Sequence, residues 1–124
     1  MKEIRIYITG KYDYHFRVSI WSYYLNYKTA VIKTNGEKYE DGSVNRALLH
    51  GLYEALQRIT EPCHIIIYTK VSLGFDNPRK SIDKNTMLNI VQTIIKAGHI
   101  VEYIVANELS QVNIWEQLYG TPFN

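Results

Sequence analysis

The spacing of apolar residues changes period partway along this chain, and that change excludes most folds. Ile4, Ile6 and Ile8 alternate with Arg5, Tyr7 and Thr9 as far as Gly10, the two-residue period of a half-buried strand. Tyr14, Phe16, Val18 and Ile20 alternate with His15, Arg17 and Ser19 and predict a second strand running to about Tyr24. Leu25-Asn26 then supplies a tight turn, because Asn tolerates positive φ. A third strand is expected from Tyr27 to Thr34, ended by Asn35-Gly36. Strands joined by turns this short form an antiparallel meander.

From Val44 onward the period is helical. Val44, Leu48, Leu52, Ala55, Leu56 and Ile59 recur at three- and four-residue spacing, with Ser43 as the cap and Pro62 barring continuation. Cys63-His64-Ile65-Ile66-Ile67-Tyr68-Thr69 is a β-branched run suited to a central strand covered on both faces. Residues 70–82 are expected to form a loop or short helix containing Pro78. Asp83 caps a second long helix, closed by Gly98 at its C-terminal cap. Ile100 to Val105 is a fifth strand, and a last helix is expected from about Glu108 to Tyr119. The order β-β-β-α-β-α-β-α requires a parallel half-sheet beside the meander. The fold class is therefore α/β, a mixed five-stranded sheet with helices on both faces.

Composition narrows the function classes. The chain has 124 residues, 46% of them hydrophobic, which suits one domain over residues 1–124 with a substantial core. Residues 1–62 carry nine basic and seven acidic side chains and residues 63–124 five of each, so neither half grips phosphates by charge alone. The single cysteine, Cys63, excludes an internal disulfide and reads as a structural thiol at the start of a buried strand. No Gly-rich phosphate loop, serine elbow or paired metal histidines occur. Met1-Lys2-Glu3-Ile4-Arg5 interrupts any apolar run with charge, so neither a signal peptide nor a membrane span is expected there. The expected compartment is the cytoplasm.

Asn45-Arg46-Ala47-Leu48-Leu49, Glu54-Ala55-Leu56 and the strand end Ile67-Tyr68-Thr69-Lys70 resemble the ribonuclease H family. Its members carry Asn-Arg-x-Glu-Leu at the start of this helix and Tyr-Thr-Asp-Ser at the end of this strand. Ile6-Tyr7-Ile8-Thr9-Gly10 is similar to the family's first-strand Tyr-Thr-Asp-Gly. The likeness in order and type of elements spans roughly Ile4 to Leu118. It implies a strand order of 3-2-1-4-5 with the site at the carboxyl ends of strands one and four.

In that family four carboxylates hold two Mg²⁺ ions that activate water and stabilise the leaving oxygen of an RNA strand paired with DNA. Here the corresponding positions are Thr9, Leu48 and Lys70, with Glu116 aligned to the fourth. Two neutral residues and a cation cannot hold two divalent ions. At about 100° per residue Leu48 lies near the centre of the helix's apolar arc, so it is expected to be packed. Glu54 falls roughly 140° from that centre and is expected to point at solvent, paired with Arg58. The resemblance thus implies a catalytically inactive relative with no cofactor. Mg²⁺ or Mn²⁺ enters only in the alternative of a metal-dependent ribonuclease with migrated ligands, for which Asp13 and Asp76 are the nearest acids. The glycine-rich turn that the family uses to approach the hybrid is replaced by Lys11-Tyr12-Asp13-Tyr14-His15.

Contact residues follow from charge and aromaticity. Lys70, Arg79, Lys80 and Lys84 form the most basic stretch and are candidates for phosphate contact, with Tyr12 or Tyr14 adding stacking. Trp21 and Tyr23 share a strand face opposite Phe16, Val18 and Ile20. Left uncovered, that face would present an aromatic patch to a protein partner or a second copy. His50 reads as solvated. Lys70 and Glu116 are expected to meet as an ion pair in place of the metals. The expected partners are nucleic acid or a nucleic-acid-handling protein, with a homodimer without nucleic-acid binding as a third reading.

Overall fold

The computed structural model describes residues 1–71, 73–74 and 83–105. They form β1 (Lys2–Asp13), β2 (Val18–Tyr27), β3 (Ala30–Tyr39), α1 (Val44–Gln57), β4 (Cys63–Thr69), α2 (Lys84–Ala97) and β5 (Ile100–Val105). The sheet is five-stranded in the order β3-β2-β1-β4-β5. β1 and β2 pair antiparallel, as do β2 and β3, while β4 lies parallel to both β1 and β5. This is the mixed sheet expected from the sequence. The helix expected over residues 108–119 lies outside the described residues.

The caps act where the sequence puts them. The Ser43 hydroxyl accepts from the Arg46 N–H at 3.2 Å, and the Asp83 carboxylate accepts from the Thr86 N–H at 3.1 Å. Each satisfies a backbone donor that has no partner within its helix. Gly98 takes the left-handed conformation, φ 74°, and ends α2. No helix among the described residues is long and apolar enough to cross a membrane.

The meander departs from expectation in its turns. β1 does not stop at Gly10 but runs to Asp13, whose carboxylate accepts the N–H groups of His15 and Phe16 at 2.9 and 3.0 Å. That side chain makes the turn, so Tyr14 and Phe16 project into solvent instead of opening β2. The second turn is Lys28-Thr29, with Lys28 at φ 53°, rather than Leu25-Asn26. β3 accordingly shifts along the chain and continues through Asn35-Gly36 to Tyr39.

α1 and α2 pack against one face of the sheet. Ile6 and Ile8 of β1, Trp21, Tyr23 and Leu25 of β2, and Ile65 and Ile67 of β4 join Leu48, Leu49, Leu52 and Leu56 of α1 and Met87 and Ile90 of α2 in one core. The expected orientation of β2 is therefore reversed: Trp21 and Tyr23 lie under α1 and offer no patch to a partner. Alternation misleads here because Val18, Ser22 and Tyr24 on the other face are buried as well. On that second face Tyr7 and Tyr68, paired across β1 and β4, stack with centroids 4.5 Å apart.

Candidate functional site

The indole of Trp21 shows how tightly α1 sits on β2. A Cβ at Gly36 would lie 2.3 Å from its Nε1, and one at Gly51 would lie 3.1 Å from the Trp21 Cβ. Gly36 is thus not a turn residue. It is the gap in β3, matched by Gly51 in α1, that admits the ring. The Trp21 N–H donates to Glu54 at 2.8 Å. Glu54 does not point at open solvent, and its expected pairing with Arg58 is replaced as well: the Arg58 guanidinium donates to the Tyr23 hydroxyl at 2.7 Å. His50 is not simply solvated either, since its Nε2 lies 2.8 Å from a Glu40 carboxylate oxygen that also accepts from Ser19. Helix angles alone missed these contacts because the large aromatics of β2 reach past the edge of the apolar arc. Gly51, a glycine within a helical period, was the available sequence signal, whereas Gly36 read as a strand end.

Toward the amino terminus of α1 the packing opens. A crevice of about 280 Å³ lies at the carboxyl ends of β1 and β4, lined by Ile8, Thr9, Gly10, Lys11, Val44, Leu48, Lys70 and Val71. Thr9, Leu48 and Lys70, picked from the sequence, are brought to one place. Leu48 belongs to the core and is 4% exposed. The β1 residue facing it is Gly10, where an added Cβ would meet a Leu48 methyl carbon at 3.3 Å. Thr9 has the opposite strand parity, sharing its face with Ser22, its partner on β2. Lys11, which follows Gly10 and has the same strand parity as Thr9, is a second lysine of the lining that the sequence reading did not single out.

Beside the crevice, a cleft of about 310 Å³ is lined by Tyr12, Tyr14, Asp41, Gly42, Ser43 and Arg46. The Tyr12 hydroxyl donates to the Glu40 carbonyl at 2.7 Å, and its ring meets Tyr14 edge-on with centroids 4.7 Å apart. Tyr14 is 76% exposed, leaving its other faces free for a planar group. Arg46 donates to the Asp41 carbonyl at 2.6 Å and approaches Asp83 to 3.5 Å, tying the start of α1 to the cap of α2. Burial pushes the Asp83 pKa up, but hydrogen bonds from Thr86 and the nearby Arg46 charge outweigh it and hold the carboxyl below its ordinary value. Lys84, in the first turn of α2, is exposed. Arg79, Lys80, Asp76 and Glu116, and with Glu116 the expected pair with Lys70, lie outside the described residues.

The described residues of the crevice do not fit the two-metal centre that the resemblance implies. Among the described residues its lining consists of two lysines, one threonine, a glycine and apolar residues, with no Asp, Glu, His or Cys. A divalent cation there would be disfavoured by Lys11 and Lys70 and would find no hard anionic ligand among the described residues. Among the described residues no group of His, Cys, Asp and Glu large enough to hold a metal ion occurs. Asp13, one of the acids considered for a relocated site, is engaged by the backbone N–H groups of its own turn. What the crevice can do chemically is receive an anionic group at its lysines and an apolar or planar one on its floor or on the neighbouring tyrosine. Comparison with protein-family models and with curated proteins gives no match to this chain.

Proposed function

We propose that this chain is a catalytically inactive, RNase H-like domain that acts as a binding or scaffolding module for nucleic acid or for a nucleic-acid-handling protein. One observation carries the reading: the crevice at the carboxyl ends of β1 and β4, where open α/β sheets place their ligands, is lined by Lys11 and Lys70 and, among the described residues, by no carboxylate. Cations at that position contact a phosphate directly instead of through a metal, and the exposed Tyr14 ring supplies a surface for a base. The strand order adds support at the level of fold only, since a fold does not carry a function with it.

The test is incubation of the purified protein with an RNA–DNA hybrid, duplex RNA and single strands, with Mg²⁺ or Mn²⁺, followed by product analysis and gel shift. No cleavage above a metal-free control is expected. Binding is expected to weaken with salt, and to weaken further in Lys11→Ala/Lys70→Ala, because each lost phosphate contact lowers affinity and flattens the salt slope. Metal-dependent turnover would overturn the inactive assignment. Absence of any shift at tens of micromolar, roughly the scale of non-specific binding, would overturn the nucleic-acid assignment.

A further inference from the structure

β3 is an edge strand of ten residues, and along it no residue is buried. Val31 is 55%, Ile32 51% and Tyr39 71% exposed. A long edge with apolar side chains and unpaired backbone groups is a template for another strand unless something blocks it. The phase of its hydrogen bonding determines which residues a second strand would meet. β2 and β3 are joined by a two-residue turn with Tyr27 opposite Ala30, and their register continues without a bulge to Val18 opposite Tyr39. In such a hairpin the residues flanking the turn exchange their backbone hydrogen bonds. Even-numbered residues of β3 therefore bond inward to β2, and Val31, Lys33, Asn35, Glu37 and Tyr39 aim their N–H and C=O groups outward.

Antiparallel pairing of these outward groups with a second copy is restricted to a few registers. The one that engages all of them is centred on Asn35 opposite Asn35. It sets Lys33 of each copy across from Glu37 of the other and Val31 across from Tyr39. Opposite charges and aromatic–aliphatic pairs directly across an antiparallel ladder are favourable, and here the two-fold axis makes each occur twice. Thr34 falls opposite Gly36, where no side chain crowds it. The other edge strand, β5, has one charged residue, Glu102, and so no opposite charge to pair with across such an axis.

We propose that two copies of this chain pair through β3, Lys33 against Glu37, to form one continuous sheet with both α1 helices on the same side. This surface is distinct from the Trp21/Tyr23 face, which α1 occupies, and does not depend on the proposed nucleic-acid function. Sedimentation equilibrium at micromolar concentrations tests it. The wild-type chain is expected to dimerise. Lys33→Glu alone and Glu37→Lys alone each replace two attractions by two repulsions and are expected to weaken the dimer by about tenfold or more while remaining folded by circular dichroism. Mixing the two variants restores both opposite-charge pairs, so a heterodimer of near wild-type affinity is expected, as is a homodimer of the Lys33→Glu/Glu37→Lys double variant. A wild-type chain that stays monomeric throughout overturns the proposal. So does a dimer indifferent to both single changes, or single variants whose mixture gains nothing.

Discussion

The two ends of α1 lie on the same sheet and meet opposite fates. Around Trp21, the middle of the helix closes on β2 and β3: Gly36 and Gly51 clear space for the indole, and its N–H has a carboxylate partner in Glu54. Four residues before Gly51 in the same helix, Ala47 and its neighbour Leu48 sit over Gly10, and there β4 has ended while β1 runs on, leaving a crevice that Lys11 and Lys70 help to line. The difference is one of side-chain reach. Trp21 is large enough to fill the space between sheet and helix, whereas at Gly10 the helix comes close to β1 and β4 has ended beside it. A candidate binding site is left where packing stops, and the residues that stop it are small.

The comparison breaks most readily at the closed end. Trp21→Ala should lower stability by roughly 3–5 kcal/mol in urea unfolding, since it empties a slot that two glycines hold open and strips Glu54 of its donor. A loss under about 1 kcal/mol would mean that α1 collapses onto the gap and that the slot is not rigid. At the open end, Leu48→Glu should cost roughly 2–4 kcal/mol, because a carboxylate placed among Val44, Leu52 and Ile8 has no partner. Mg²⁺ should restore none of it. Unchanged thermal stability, or a melting temperature that rises with Mg²⁺, would show the crevice to be wet and polar to its floor.

The smallest effect sharpens the contrast through pH. Beyond the closed end of α1, the His99 ring accepts the Cys63 N–H at Nδ1, 3.1 Å away, and is buried. Burial lowers its pKa below the ordinary 6.5, because a charged imidazole there would lose its water. The unfolded chain takes up that proton first. The His99 contribution is therefore intact above about pH 6.5 and is lost as the pH falls towards the folded-state value. Urea midpoints should drop between roughly pH 7 and pH 5, and His99→Gln should flatten that slope. No histidine lines the crevice among the described residues, so salt-dependent binding at the open end should change little over the same window.

Local grammar explains why some of this was legible from residues alone. Ser43, Asp83 and Gly98 act at helix ends through their own backbone neighbourhoods, and β4 and β5 are marked by β-branched runs that cannot be mistaken for helix. The meander was harder because β2 is buried on both faces, so that alternation carries no sense of inside and outside. Gly36 was misread for a related reason: a glycine in sequence looks like a turn, and only the indole across the ladder reveals it as a space. At the crevice, the sequence brought Thr9, Leu48 and Lys70 to notice, but strand parity turned Thr9 toward Ser22 and put Gly10 against Leu48.

By itself, then, the order of periods determined an α/β chain with a meander leading into a parallel half, because burial period and backbone geometry are coupled within a few residues. The absence of carboxylates at Thr9, Leu48 and Lys70 was equally a property of the sequence, since no folding can supply a charge that the chain lacks. Tertiary structure alone decided which face of β2 is the core, that Glu54, His50 and Arg58 are engaged, that Lys11 joins Lys70, and that β3 is left as a ten-residue edge. Those outcomes depend on contacts between residues far apart in the chain. Their free energies appear only when a helix is laid on a sheet and each large side chain finds, or fails to find, a space of its own size.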